Sequence, residues 1–255
     1  MKEIYEYKEM IFSLVRRDLK GRYRNSILGF FWMFLNPLAQ LLIYTFAFSV
    51  VMPMHIENYY MHLFVALVPW IFFSACFTGG ARAVIDQQEL VKKIYFPRHV
   101  LPIAFTTSQF VNMLLTFIVV FIVLLISGIG VSIRALCFFP LVAVAQYIFA
   151  LGVTMVCSTI SVYYRDMEQI FGILSIGLMY ASPVVYSLES VPEQYRYILS
   201  LNPMTTIIVA YRDILFYKKV PDSHALFITL LGSMCFMIIG WCIFEKKQRR
   251  FVEEF

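Results

Sequence analysis

Charge is scarce in this chain, and its scarcity excludes most soluble folds. Only 15% of the 255 residues are charged and 60% are hydrophobic, and the mean hydropathy is +0.75. A soluble domain is about one quarter charged, so the composition predicts an integral membrane protein. The net charge of +5 comes from basic clusters beside apolar runs. Such clusters are typical of contact with lipid headgroups and do not indicate a nucleic-acid partner.

Motifs for chemistry are also missing. The 5 cysteines form no CxxC pair and no Cys/His ligand spacing, so we expect buried structural thiols and no metal site. The 4 histidines are scattered and indicate no catalytic centre. The sequence contains no G-x-x-x-x-G-K-[ST] phosphate loop. We therefore expect a chain that is not an enzyme and holds no cofactor, so that any use of ATP depends on another chain.

Long apolar runs dominate what is present, and a helix of about 20 residues is enough to cross a bilayer. No Asp or Glu lies well inside these runs, which disfavours a carrier coupled to protons or sodium. With both termini in the cytoplasm, 16 of the 21 basic residues lie on the cytoplasmic side, as the positive-inside rule requires. We predict six spans at residues 30–52, 59–81, 100–126, 136–162, 170–187 and 224–244.

The N-terminal segment precedes this spanning region. Apolar residues recur at helical spacing over residues 4–20, with most charged residues on other faces. The pattern predicts an amphipathic helix in the membrane interface; the alternative is a solvated cytoplasmic arm. We therefore divide the chain into an interface helix with its basic flank, residues 1–29, and a transmembrane domain, residues 30–255. The basic residues at the end of the helix are Arg16, Arg17 and Lys20.

A charged interruption separates the second and third predicted spans. Residues 82–97 carry an apolar side made by Ile85, Leu90, Val91 and Ile94, and a proline at the end of the segment stops a helix. We predict one short amphipathic helix on the cytoplasmic side. This helix either rests on lipid headgroups or binds a cytoplasmic protein that drives movement of the adjoining spans. The sequence leaves both possibilities open.

A second unusual segment, residues 188–223, lies outside the membrane in the predicted topology. Its apolar part is too short and too interrupted to cross, so we expect a re-entrant pair of short helices; the alternative is an exposed loop. Arg212 and Asp213 are adjacent and point about 100° apart in a helix, so we expect each to pair with other groups. The tail, residues 245–255, returns to the cytoplasmic side.

The first predicted span carries a stripe of residues spaced four apart. Amides at its inner end give way to aromatic rings at its outer end, a combination that suits the hydroxyl groups and C–H faces of sugars. The alternative is interhelical packing, in which amides contribute about 1 kcal/mol each. The stripe consists of Asn36, Gln40, Tyr44 and Phe48.

Five stretches together resemble one transporter family. They are RDLKGRYRNSILGFFWMFLNPL, FVALVPWIFFS, ELVKKIYFPRHVLP, YYRDMEQI and LNPMTTIIVAYRDIL. Their order and content are similar to the permease subunits of polysaccharide-exporting ABC transporters, which handle O-antigen, capsular polysaccharide and wall teichoic acid. The resemblance covers essentially the whole chain, and the combination is specific although each stretch alone is weak.

The resemblance implies a partner and a substrate. Such permeases are homodimers in the bacterial cytoplasmic (inner) membrane, paired with two copies of an ATPase subunit that binds ATP and magnesium. They extrude a lipid-linked glycan through a channel between the two permease copies. The alternatives are export of a drug or lipid, an energy-independent channel, or a membrane scaffold.

The resemblance also assigns roles to residues. The interface helix and the segment after the second span would contact the ATPase, and the external segment would lie near the exit of the channel. The implied coupling residues are Asp86, Glu89, Lys92, Lys93, Tyr95 and Arg98, with Arg165 and Asp166 in the second cytoplasmic turn; the external ones are Asn202, Pro203, Arg212 and Asp213.

Overall fold

All regular secondary structure in residues 6–21, 29–48, 56–251 and 254, the part of the chain that the computed structural model describes, is helical. This confirms the all-α prediction. Short 3-10 turns lie at Gly29–Phe31, Gly79–Arg82, Ile85–Gln87, Leu188–Ser190 and Gln248–Arg250. The helices are α1 Lys8–Gly21, α2 Trp32–Phe46, α3 Tyr59–Thr78, α4 Gln88–Lys93, α5 Val100–Ile126, α6 Ile133–Leu136, α7 Phe139–Tyr163, α8 Met167–Tyr180, α9 Glu193–Ser200, α10 Pro203–Leu215 and α11 Ser223–Lys247.

Four helical stretches are long and apolar enough to cross a membrane. The bounds of each stretch agree with those of a predicted span to within about six residues. This agreement is expected, because a long apolar run can be recognised from the local sequence alone. They correspond to the predicted second, third, fourth and sixth spans. The stretches are Tyr59–Arg82, Val100–Ile126, Ile133–Tyr163 and Ser223–Arg250.

The predicted first and fifth spans correspond to the shorter helices α2 and α8, of 15 and 14 residues. Helix α8 ends at Tyr180, and residues 181–186 form turns and bends around Pro183, so the helix stops before the predicted end at residue 187. The last part of the predicted first span, residues 49–52, lies outside the described residues. The residues that are not described are 1–5, 22–28, 49–55, 252, 253 and 255. The count of six spans stays a prediction.

Helix α3 is the centre of the bundle. Met61, Leu63, Phe64 and Val65 are all completely buried, so successive residues on every side of the helix meet protein. A helix that is apolar all round belongs in a core. Helices α2, α5, α7, α8 and α10 pack against it.

Two facing glycines bring α7 and α11 into close contact. A Cβ added to Gly240 would lie 2.6 Å from the Gly152 carbonyl oxygen, and one added to Gly152 would lie 2.8 Å from the Met237 Cα. Small residues of this kind let helix backbones approach closely in membranes, where packing rather than water drives association. The pair therefore fixes the last helix against the body of the bundle.

The two ends of α3 define two ends of the bundle, which we name inner and outer after the predicted topology. The inner end carries α1, residues 79–99 and residues 245–251; the outer end carries the start of α3 and residues 181–222. At the inner end α1 lies against α5 and buries Val15. The predicted apolar side of α1 therefore packs on protein, while Phe12, on another side, is 68% exposed.

The expectation that all cysteines are buried is wrong for three of them. Cys76 and Cys157 are buried, but Cys137, Cys235 and Cys242 are exposed on the surface of the chain. In a bilayer an apolar side chain gains nothing by avoiding the lipid-facing surface. The hydrophobic character that predicts burial in a soluble protein therefore does not distinguish core from lipid-facing positions here.

Candidate functional site

The segment between α3 and α5 is not the single helix that the sequence predicts. After the turn Ile85–Gln87, α4 covers only Gln88–Lys93, and Ile94 is already extended. The proline ring of Pro97 favours extended backbone at the residue directly before it, Phe96. Ile94, predicted to be on the apolar side, is 55% exposed, and the buried anchors are Val84, Val91 and Phe96.

These anchors leave a polar surface at the inner end. Glu89, Lys92 and Lys93 are exposed on α4, with Lys93 Nζ 2.9 Å from Glu89 Oε2. Tyr95 follows them with 96% of its surface exposed, more than any other large hydrophobic side chain among the described residues. An exposed aromatic ring beside charged residues is the composition expected of an interaction anchor.

Arg82 connects this segment to the second turn at the inner end. Its Nε lies 3.0 Å from Asp86 Oδ1 and its Nη1 lies 3.5 Å from Glu168 Oε1. Asp86 is thus paired within the chain, while Arg165 and Asp166 in the second turn are exposed. The ion pairs bring the two sets of predicted coupling residues onto one surface.

Helix α1 is attached to the same region by polar contacts. Arg17 donates from Nη2 to Gln87 Oε1 at 2.6 Å, and the Ser108 hydroxyl donates to the Asp18 carboxylate. Arg16 and Lys20, the other predicted interface residues, are exposed. These contacts join α1 to the segment at residues 82–97 and to α5.

The C-terminal tail packs against residues 84–99, a contact that the sequence did not predict. Arg98 donates to the Gln248 carbonyl, and burial lowers the pKa of Arg98. His99 Nε2 lies 3.0 Å from Glu245 Oε2. Phe251 is completely buried in a cluster with residues such as Val84 and Val91. An aromatic residue within a charged tail was the available signal.

The predicted substrate stripe divides into two parts. Asn36 is exposed and accepts from Gln40 Nε2 at 3.2 Å. The Tyr44 hydroxyl lies 3.8 Å from Met179 Sδ on α8, and the Phe48 ring centre lies 6.4 Å from that of Tyr59 on α3. The aromatic end therefore packs within the chain, and the amide end is the part that remains open to an external ligand.

Residues 188–223 contain two short helices, α9 and α10; that they re-enter the membrane stays a prediction. Asn202 caps α10 by accepting from the Met204 amide at 3.0 Å, and Pro203 occupies the first turn, where a missing amide hydrogen costs nothing. Asn202 Nδ2 also donates to Ser182 Oγ at 2.9 Å. Helix α9 buries no residue, whereas most of α10 is buried against α3, α7 and α11.

Arg212 fastens α10 to the rest of the outer end. The whole residue is 3% exposed. Its guanidinium donates to four carbonyl oxygens: His62 at 3.1 Å, Pro183 at 2.6 Å, Tyr186 at 3.0 Å and Val184 at 2.6 Å. Burial lowers the pKa of Arg212, but an arginine guanidinium stays protonated in proteins. The planar fork of arginine suits this multiple contact.

Asp213 turns away from Arg212, as the sequence predicts, and lies 3.3 Å from Lys219 Nζ. Burial raises the pKa of its carboxyl, and Lys219 opposes that shift. Beside this pair the outer end holds a cavity of about 190 Å³. Its lining residues are His62, Ser187, Leu188, Glu189, Arg196, Val209, Arg212, Asp213, Tyr217 and Lys219.

The class of the protein follows from comparison with known families. The sequence model of a family described as "ABC-2 type transporter" matches residues 9–216. The match begins in α1, includes the segment between α3 and α5, and reaches the end of α10. The chain belongs to this family, and with several long apolar helices it is a multi-pass inner-membrane protein.

Individual relatives carry more specific names. The chain is 35% identical over 258 residues to an "O-antigen export system permease protein RfbA" of Myxococcus xanthus, covering 99% of this chain and 98% of the relative. It is 31% identical to a Klebsiella pneumoniae protein of the same name, covering 96% and 94%. The "Polysialic acid transport protein KpsM" of Escherichia coli is 22% identical, covering 94% of each.

Proposed function

We propose that this chain is the channel-forming permease subunit of an exporter for a lipid-linked polysaccharide of the O-antigen or capsule type. The observation that carries the proposal is the similarity to O-antigen export permeases along nearly the whole of both chains. The capsule export relatives support the same substrate class. These names favour a glycan over the drug or lipid substrate of the alternative interpretation.

The proposed arrangement is a homodimer with both termini in the cytoplasm, driven by two copies of an ABC ATPase that binds ATP and magnesium. Membership of the ABC-2 family implies such an ATPase. The distribution of 16 of 21 basic residues supports the orientation. Exposed apolar side chains on α2 and α8, such as Leu42 at 71% and Ile173 at 71%, leave faces that lipid or a second copy can cover.

A deletion experiment in the native bacterium tests the function. Loss of this chain should remove the long glycan from the cell surface and cause the lipid-linked glycan to accumulate inside, and the cloned gene should reverse both effects. Surface glycan can be measured by gel electrophoresis of cell extracts. A deletion strain with normal surface glycan and altered sensitivity to drugs would support the alternative instead.

The surface at the inner end supports a role in binding the ATPase. Its apolar residues Val84, Val91 and Phe96 are buried, whereas its charged residues and Tyr95 are exposed. We predict that Tyr95→Ala weakens association with the ATPase about tenfold, the size of effect typical of an aromatic interface anchor. Because Tyr95 is 96% exposed, its removal should leave the fold and membrane insertion unchanged. Co-purification of the ATPase with the tagged permease measures the effect.

Tyr197→Ala is the matched control for this variant. Tyr197 is 72% exposed but lies on α9 at the outer end, so it should leave ATPase recovery unchanged. Equal recovery of the ATPase with both variants would show that Tyr95 is not an anchor.

The amide end of the stripe supports a place in the glycan path, since Asn36 is exposed and carries a hydrogen-bonding group. Replacing Asn36 and Gln40 together with leucine should lower the rate of glycan export several-fold without lowering the amount of folded protein. Tyr44→Phe, which removes only a weak contact to Met179, should export normally. Normal export by the double variant would assign the stripe to packing alone.

A further inference from the structure

The cavity at the outer end is lined by a buried histidine, His62. His62 is completely buried, lines the cavity, and has no hydrogen-bond partner for Nδ1 or Nε2 within the ranges that the structure describes. An imidazole carries hydrogen-bonding capacity on both nitrogens in either protonation state. A buried polar group without a partner is costly and calls for an explanation, and a ligand in the adjoining cavity supplies one.

The size of the cavity restricts the ligand. Its volume of about 190 Å³ is far above the ~15 Å³ that one water needs. It is below the ~300–1,000 Å³ of sites for drug-sized molecules. The space therefore suits one small polar unit, and its open side lets that unit belong to a longer molecule.

The charges around the cavity restrict the ligand further. The lining carries three cations and two carboxylates, Glu189 and Asp213. Arg212 already donates to four carbonyls and Arg196 to two, those of Val191 and Glu189. Lys219, which is paired with Asp213, is the third cation. An anion would meet the carboxylates and a cation would meet the basic groups. A neutral ligand with many hydroxyl groups can donate to the carboxylates and accept from the cations without an unbalanced charge.

We propose that this cavity binds a single sugar unit of a glycan, with His62, Asp213 and Lys219 as its hydrogen-bonding groups. The inference rests on the proposed export function and adds a saccharide site within each protomer, at the outer end of the bundle. Asp213 and Lys219 already face each other across 3.3 Å, so both groups are held in place before a ligand arrives.

Saturation-transfer NMR on the full-length protein in lipid nanodiscs tests the site. The probes are free D-glucose, D-galactose and D-mannose, with inorganic phosphate as a competitor. We expect a saturable signal from at least one sugar that phosphate does not displace. Val209→Phe, which fills the cavity, should weaken the affinity at least about tenfold, and Ile198→Phe, on the exposed side of α9, should not change it.

A second variant keeps the test valid if Val209→Phe does not fold. Lys219→Met alters a residue with a side chain that is 61% exposed, so it should fold and still weaken sugar binding. The proposal is overturned if no sugar gives a saturable signal, if both variants bind like the wild type, or if phosphate displaces the sugar. Normal sugar binding together with unchanged surface glycan in the deletion strain would instead contradict the proposed export function.

Discussion

Arg212→Met will lower the free energy of unfolding by about 3–5 kcal/mol, because several buried carbonyls lose a charged donor at once. In the wild type the guanidinium joins α10 to the first turn of α3 and to the turn at residues 183–186. A methionine of similar length fills the space but donates no hydrogen bond. Thermal unfolding of the purified protein, followed by size-exclusion chromatography of heated samples, measures the change.

Two further variants make this prediction specific. Arg212→Lys retains the charge but can reach fewer of the four carbonyls, so its unfolding temperature should fall between those of the methionine variant and the wild type. Arg134→Met removes an arginine that is exposed, and it should unfold like the wild type. If Arg212→Met also unfolds at the wild-type temperature, the carbonyl clamp does not stabilise the outer end.

Gly240→Ala will separate α7 from α11 and destabilise the protein by about 3 kcal/mol, the upper range for overpacking. The added Cβ would lie 2.6 Å from the Gly152 carbonyl oxygen and 3.2 Å from the Gly152 Cα. Both are backbone atoms, so the contact cannot be relieved by turning a side chain. We expect less folded protein in the membrane and a lower unfolding temperature.

Gly232→Ala on the same helix is the matched control. Its added Cβ would have nothing within 4 Å, and alanine favours a helix over glycine by about 1 kcal/mol. The control should therefore be as stable as the wild type or slightly more stable. An equal loss of stability in the two alanine variants would indicate a general effect of glycine replacement and contradict the close packing of α7 and α11.

The long helices could be predicted from the sequence because their signal is local. The predicted span 100–126 coincides with α5, Val100–Ile126, since an apolar run bounded by polar residues contains all the information needed. The short helices α9 and α10 could also be expected, because charged residues and prolines interrupt that apolar run. The shape of residues 82–97 could not, since the anchoring of Val91 and Phe96 depends on residues far away in the chain.

The contacts that define the candidate sites depend on long-range packing and were not predictable. Arg212 meets carbonyls at residue 62 and at residues 183–186, and no spacing rule connects those positions. The burial of Phe251 likewise depends on its packing in the cluster around Val84, which is far away in the sequence. The stripe in α2 was identified as a unit, but only neighbours on α3 and α8 reveal that its aromatic end is packing.

Affinity purification of the tagged chain from native membranes tests the central claim, that this permease is driven by a separate ATPase. We predict that mass spectrometry of the purified complex identifies one further chain with a phosphate-binding loop, in equal amount to the permease. The complex should hydrolyse ATP, and Tyr95→Ala should lose that partner. Recovery of the intact permease without any ATP-binding chain would contradict the account.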